Sequence, residues 1–278
     1  MSSVLFGTAS LDRYLASGRT LPGGGVLNMA YHWAVAGMPF LLHTRIGSQD
    51  RQLFERFLTR NGIPYLPASL VAAGPSASID IRFGSDRQPQ MDNYVDGVWD
   101  SVQCTEEELD SLRGATSWHT VLVEGAIAEL SRLSAAGRLS HLDVSADFLG
   151  FRHYTIDRFR DTLAHLRLAF IGWPGRVDDP MMRDVRRCVL DAGKIAVVTL
   201  GADGVYLVDG TRGTERHYPT DPVPVLGSTI GCGDALIAAF LAAYHRGAPL
   251  DEAVALGQAA GAAATAWSLP LPAAAYED

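Results

Sequence analysis

Residues 227–247 read GSTIGCGDALIAAFLAAYHRG: small residues and glycines, one carboxylate at Asp234, then a long apolar run. Leu236, Ile237, Phe240, Leu241 and Tyr244 recur at the spacing of a buried helical stripe, which predicts a helix beginning near Asp234. Gly231 and Gly233 free the preceding backbone of Cβ clashes, so it can turn sharply and aim successive N–H groups at one point. The first N–H groups of a helix have no partner inside it and carry the positive end of its dipole, which makes an anion site. From these residues alone Asp234 has two readings, a helix cap and a base beside a bound phosphate.

Working outward, short apolar segments alternate with helical patterns. The segments SVLFG (3–7), FLLHTRIG (40–47), TVLVEG (120–125), LSHLDVSA (139–146), LRLAFIG (166–172) and KIAVVTLG (194–201) read as strands. Between them NMAYHWAVAG (28–37), RQLFERFLTRNG (51–62), AIAELSRLSAAG (126–137) and DPMMRDVRRCVLDAG (179–193) read as helices ending in glycine. The alternation predicts an α/β fold, a mainly parallel sheet with helices on both faces, forming a single domain over residues 1–278. Ligands of such sheets bind at the carboxyl ends of the strands, the edge where Asp12, Gly47, Gly125, Gly201 and the Asp234 helix are expected. Residues 68–100 break the pattern: ASIDIRF alternates with period two and no helix follows. Together with about 12–25 they are expected to form a small β lid. The edges of such a lid call for cover, and a homodimer through it is expected. A Gly/Pro-rich loop, GWPGRVDDP (172–180), carries the adjacent carboxylates Asp178 and Asp179.

Composition removes several classes of function. A net charge of -8, with 23 basic residues scattered along the chain, gives no footprint for nucleic acid. No apolar run reaches 18 residues and the first residues do not read as a secretion signal, so neither a membrane span nor export is expected. Cys104, Cys188 and Cys232 are odd in number and far apart, as free thiols in a reducing cytoplasm are. Eight histidines show no metal-ligand spacing.

The stretches GGGVLNMAYHWAVAG (23–37) and GSTIGCGDALIAAFL (227–241) resemble the two signatures of the ribokinase-like (PfkB) carbohydrate kinases, and TLGADGVYLVDG (199–210) resembles their nucleotide-binding turn, all in the family's order. YVDGVWDS, HTVLVEGAIAELSRLSAAGRLSHLDVSADF and LRLAFIGWP are similar in wording to the fructoselysine 6-kinase branch of that family. The resemblance implies the three-layer ribokinase-like fold with a β lid, and transfer of the γ-phosphoryl group of ATP to a primary hydroxyl of a ketose or fructosamine. It gives Asp234 the role of base and the N–H groups of Gly231, Cys232 and Gly233 that of the hole for phosphoryl oxygens. It assigns Asp12, Gly24, Gly25 and Asn28 to the sugar, and Thr199, Gly201 and Gly204 to the nucleotide. Mg2+ is implied as a companion of ATP. By the residues alone, Asn28 reads as a helix N-cap and the turn at 199–204 as an ordinary hairpin connection.

The chain also departs from the family. Cys232 stands where an Ala is usual, and Ser228 where an Asp is associated with a monovalent cation. The Asn-x-x-Glu expected after LRLAFIG is missing, with Asp178 or Asp179 as a shifted replacement for the Glu, and SLPLPAAAYED replaces the usual Gly-Ala near the adenine. These departures leave open a kinase for another sugar (ribose, fructose or a keto-deoxy sugar acid) and a non-catalytic sugar- or nucleotide-binding protein on the same scaffold.

Overall fold

A computed structural model describes residues 2–151, 154–221 and 223–277. Its strands are β1 (Ser2–Phe6), β2 (Ser10–Tyr14), β3 (Arg19–Gly23), β4 (Phe40–His43), β5 (Ile46–Gly47), β6 (Val71–Ala72), β7 (Ala77–Phe83), β8 (Pro89–Val95), β9 (Ala115–Val121), β10 (Asp143–Asp147), β11 (Leu168–Gly172), β12 (Ile195–Thr199), β13 (Val205–Asp209) and β14 (Thr214–Tyr218). The helices are α1 (Gly25–Val35), α2 (Arg51–Arg60), α3 (Pro67–Leu70), α4 (Glu106–Leu112), α5 (Glu124–Ala135), α6 (Ile156–Leu163), α7 (Pro180–Asp191), α8 (Cys232–His245) and α9 (Leu250–Ala264).

Eight strands form the central sheet in the order β14-β13-β12-β11-β10-β9-β1-β4, parallel from β12 to β4 and antiparallel in the β12-β13-β14 meander. The apolar runs are continuous because both faces are covered. Leu5, Leu168, Phe170, Ile195 and Val197 point into one core with α1, α2, α8 and α9, while Val4, Phe6, Ala169, Ile171, Ala196 and Val198 point into the other with α5, α6 and α7. This is the expected layered α/β architecture. One strand is displaced from the sequence reading of 120–125: β9 runs from Ala115 to Val121 and α5 begins at Glu124, because the polar Ser117, His119 and Thr120 are buried within the strand, with Nδ1 of His119 2.8 Å from the Ser145 hydroxyl.

A separate sheet, β3-β2-β7-β8, stands beside this body, drawn from residues 10–23 and 77–95. Residues 68–76, expected to join it, do not. They form the short α3 and β6, and β6 pairs with β5. The turn after β7 is tied to the body: Arg87 donates to the carbonyls of Val225 (2.7 Å) and Leu226, and Thr229 donates to Gln88 at 2.7 Å. Arg87 is therefore a latch to backbone carbonyls.

Helix α8 is buried nearly all round, so its apolar residues exceed a single stripe. Gly257 and Gly261 of α9 let it close on α8, since a side chain there would sit about 3 Å from the carbonyls of Leu236 (3.0 Å) and Cys232 (3.1 Å). On its other side α1 is joined to α8 by the indole N–H of Trp33, which donates to the carbonyl of Ala238 at 2.9 Å. Trp33 is fully buried. Trp33→Ala is expected to lower unfolding free energy by about 3–5 kcal/mol through the cavity and the unpaired carbonyl, read from the midpoint of urea denaturation.

Candidate active site

The parallel strands present their carboxyl ends along one edge. At this edge the order of connection reverses about β1, whose neighbours β4 and β9 are reached in opposite directions, and the ligand crevice of open α/β sheets lies at such a reversal. From β1 the chain enters β2 and β3 and returns into α1, while α8 brings its first turn alongside.

Asp234 lies in that first turn. The N-cap of α8 is Gly231, in the left-handed region at φ 79°, and no side chain caps the helix. An added Cβ on Gly231 would sit 2.6 Å from the carbonyl oxygen of Pro270, so both the turn and the packing require glycine. The cap reading of Asp234 is thus excluded: its Oδ2 accepts a hydrogen bond from Nδ2 of Asn28 at 2.7 Å instead. Asn28 is no N-cap either. It lies inside α1, whose N-cap is Gly24, with its N–H on the Gly24 carbonyl at 3.0 Å and its side chain buried.

The expected anion hole is altered in one member. The Cys232 N–H is engaged with the carbonyl of Thr229 at 3.3 Å, because the left-handed Gly231 folds the loop back on itself. Among the described residues the N–H groups of Gly231, Gly233 and Asp234 have no acceptor. The space beside Gly233 is open, with nothing within 4 Å of an added Cβ. The first turn thus offers free donors and a positive dipole end to an anion. The Cys232 thiol is pushed up to about 11 by burial and by Asp234, which makes it a spacer and not a nucleophile. Ser228, in the position of the family's cation-associated Asp, is buried and donates both its N–H (2.8 Å) and its hydroxyl (3.3 Å) to the carbonyl of Trp267. It pins the loop and leaves no charge for a monovalent cation.

Asp12 is buried in β2, its Oδ1 accepting from the Ser10 hydroxyl at 2.7 Å. Gly23 on β3 makes room for it, since a Cβ there would sit 2.0 Å from Asp12 Oδ2. Gly24 has φ 102° and its Cβ would meet the carbonyl of Thr8 at 2.3 Å, and the Cβ of a residue replacing Gly25 would lie 3.0 Å from Asp234 Oδ1. Asp12, Gly24, Gly25, Asn28 and Asp234 are thus gathered in one place. Sequence reasoning missed a third carboxylate there, Asp147, which ends β10 opposite Val121 and accepts the Leu149 N–H at 2.9 Å. Its one visible signal is its position at the carboxyl end of a predicted strand.

Burial pushes the Asp234 carboxyl up to about 6, against the opposing pull of the Asn28 hydrogen bond. Burial likewise pushes Asp12 up to about 7, with the Ser10 hydroxyl opposing and the Asp234 charge adding. Asp147 also rises to about 7, through burial first and then Asp234. The half-buried Tyr276, packed on Phe57 with ring centroids 5.6 Å apart, is within electrostatic reach of Asp12 and Asp234 and is held protonated. The unfamiliar SLPLPAAAYED tail thus brings Tyr276 beside Asp12 and Asp234.

Further along the same edge lie the residues expected to meet nucleotide. Thr199 ends β12 with its carbonyl on the Trp173 N–H at 2.9 Å. Gly201 is left-handed at φ 60° and open on its Cα side. Gly204, at φ 94°, would bring a Cβ within 2.1 Å of the Tyr218 carbonyl, which accounts for that glycine without any ligand. The proposed replacements for the family's Glu are both engaged elsewhere. Asp179 accepts from the Arg176 N–H (2.9 Å) and the Trp173 indole (3.2 Å), and Asp178 pairs with Arg176 at 3.0 Å. Asp147, whose Oδ1 accepts the Leu149 N–H and which pairs with no cation among the described residues, lies between the Asp234 turn and the nucleotide edge, and a hard cation borne by phosphates fits its oxygens. Among the described residues no three His, Cys, Asp or Glu side chains form a cage that holds a metal by themselves.

Comparison with known proteins agrees with this geometry. The pfkB family carbohydrate kinase model matches residues 180–268. The chain is 26% identical over 257 residues to fructoselysine 6-kinase of Escherichia coli, covering 92% of this chain and 94% of that one. It is 28% identical over 274 residues to cytidine kinase of Thermococcus kodakarensis, covering 91% and 92%. The structure of Arabidopsis thaliana ribokinase complexed with ribose and ATP superposes with a TM-score of 0.77 at 19% identity, covering 99% of this chain and 96% of that one, a likeness of fold.

Because Asp147 is charged and buried only in the folded state above pH about 7, Asp147→Asn should raise the thermal midpoint by several degrees at pH 8. At pH 4, where the native carboxyl is protonated, it should change the midpoint little. The sign follows from the raised folded-state pKa: stability falls as pH rises from the unfolded value of 3.8 through about 7. Scanning calorimetry at the two pH values checks it.

Proposed function

We propose, from the match of residues 180–268 to the pfkB family carbohydrate kinase model and the likeness to its kinases, that the chain transfers the γ-phosphoryl group of ATP to a primary hydroxyl of a ketose or fructosamine of the fructoselysine kind. The observation that carries this reading is Asp234, held by Asn28 at the mouth of α8 beside free helix N–H groups. Asp12 accepts the acceptor's hydroxyls, and the glycines at 23–25 let the sugar approach the backbone. Asp234 takes the proton of the attacking hydroxyl as its oxygen bonds to the γ-phosphorus and the bond to ADP breaks. Phosphoryl transfer asks mainly for position and charge stabilisation, so weak base assistance from a carboxylate is enough. The N–H groups of Gly233, Asp234 and Gly231 face the phosphoryl oxygens, while Thr199 and Gly201 meet the nucleotide. Mg2+ carried by ATP neutralises phosphate charge, and Asp147 is the residue that would hold it.

The non-catalytic reading has less support, since a binder has no use for a desolvated carboxylate aimed at the site by a buried amide. The fructosamine assignment rests on the likeness to the fructoselysine kinase, and the cytidine kinase likeness makes nucleosides the necessary controls. The strand β8 is exposed along most of its length and carries Met91, Tyr94 and Val95 on the surface, which supports a homodimer through the small sheet. Light scattering at micromolar concentration is expected to give twice the 29.9 kDa chain mass, and a monomer contradicts it.

Asp234→Asn should lower turnover by at least ~10²-fold while nucleotide binding persists, and near-normal turnover removes Asp234 from the mechanism. In the parent enzyme kcat should fall as pH drops through about 6, where the base is protonated. In Asn28→Ala that acid limb should move to higher pH, because the lost hydrogen bond had favoured the charged carboxylate. A pH–rate profile of both proteins reads the shift.

A further inference from the structure

Beyond the Asp12 and Asp234 pair, the crevice holds a second polar cluster that the phosphoryl transfer does not use. Thr8, just after β1, is 8% exposed, and its hydroxyl oxygen has no hydrogen-bond partner. Asp96, just after β8, likewise has Oδ1 shielded from solvent with no partner, and among the described residues no Lys, Arg or His pairs with it. The Tyr94 hydroxyl faces both: burial first and the Asp96 charge next push it up to about 12, with Thr8 opposing, so it remains a donor. A carboxylate oxygen left dry and unpaired is costly unless a ligand satisfies it.

The cluster lies next to the reacting centre. The Thr8 backbone carbonyl packs under Gly24 and the Asp234 carboxylate beside the adjacent Gly25, which places Thr8 next to the reacting carboxylate. A sugar whose primary hydroxyl meets Asp234 therefore brings its other end toward Asp96. In a fructosamine the end opposite the primary hydroxyl at C6 carries a secondary amine, protonated at neutral pH, whereas a simple ketose carries a neutral hydroxyl there.

We propose that Asp96, flanked by the hydroxyls of Thr8 and Tyr94, receives the cationic amine of the acceptor and sets the preference for fructosamines over neutral ketoses. This rests on the kinase reading above and deepens it. The carboxylate pairs with the ammonium, and the Thr8 hydroxyl accepts its second N–H. Asp96→Asn keeps the shape of the site and removes the charge.

The test uses fructoselysine and fructose as acceptors with the parent protein and Asp96→Asn. The ratio of kcat/KM for fructoselysine to that for fructose should fall about 10- to 100-fold in the variant, the scale of one charge-assisted hydrogen bond. An equal loss for both acceptors, or no preference for fructoselysine in the parent protein, overturns the proposal. Titration calorimetry of the two acceptors gives the same comparison without turnover. A preference in binding that vanishes in Asp96→Asn supports the amine site even where no phosphorylation occurs, which would instead count against the kinase reading; equal binding of the two acceptors by the parent protein overturns the amine site.

Discussion

The hydrogen bond between Asn28 and Asp234 joins residues 206 positions apart, and the arrangement of the site depends on it. It forms because α1 and α8 lie side by side in one core, fixed by Trp33 against the Ala238 carbonyl and by α9 closing on α8 through glycines. It also opposes the effect of burial on Asp234, so that a desolvated carboxyl still titrates at about 6 and is mostly ionised at neutral pH. The carboxylate proposed as the base and a fold-defining helix contact are here the same interaction.

Around it the electrostatics are deliberately unbalanced. Asp12, Asp147 and Asp234 share one crevice, two of them almost dry, and none is paired with a cation among the described residues. Such charge costs stability in the empty protein and favours ligands that relieve it; in the proposed function these are hydroxyls donating to Asp12, a phosphate-borne cation beside Asp147 and a proton taken by Asp234. The free N–H groups of the α8 turn supply the opposite sign a few atoms away, so carboxylates and anion-seeking donors occupy separate parts of the site. The small β3-β2-β7-β8 sheet contributes Asp12 directly and, through Arg87 and Gln88, is fastened to the loop leading into that turn.

Much of this was legible in the sequence because local chemistry and tertiary structure agree. Apolar strands covered on both faces, glycine-ended helices and the glycine turn before an apolar helix each have one favoured structure, and all were read from residues such as Gly231, Leu236 and Phe170. What escaped depends on contacts distant in the chain. Asn28 looks like a helix cap until α8 is placed beside it, Asp147 looks like any polar strand end, and Cys232 loses its N–H to a loop closure that no pattern encodes. Asp178 and Asp179 show the reverse error: adjacent carboxylates near a site suggest ligation, but the nearest donors, Arg176 and the Trp173 indole, claim them locally.

The proposed function rests on transfer of the γ-phosphoryl group of ATP to the oxygen of a sugar's primary hydroxyl. Phosphorus NMR of the protein with ATP, magnesium and fructoselysine observes that transfer directly. A new phosphomonoester resonance, coupled to the two protons of a CH2 group and rising in step with ADP, is the predicted result. Unchanged ATP with the sugar bound, or ADP formed with inorganic phosphate alone, would contradict it.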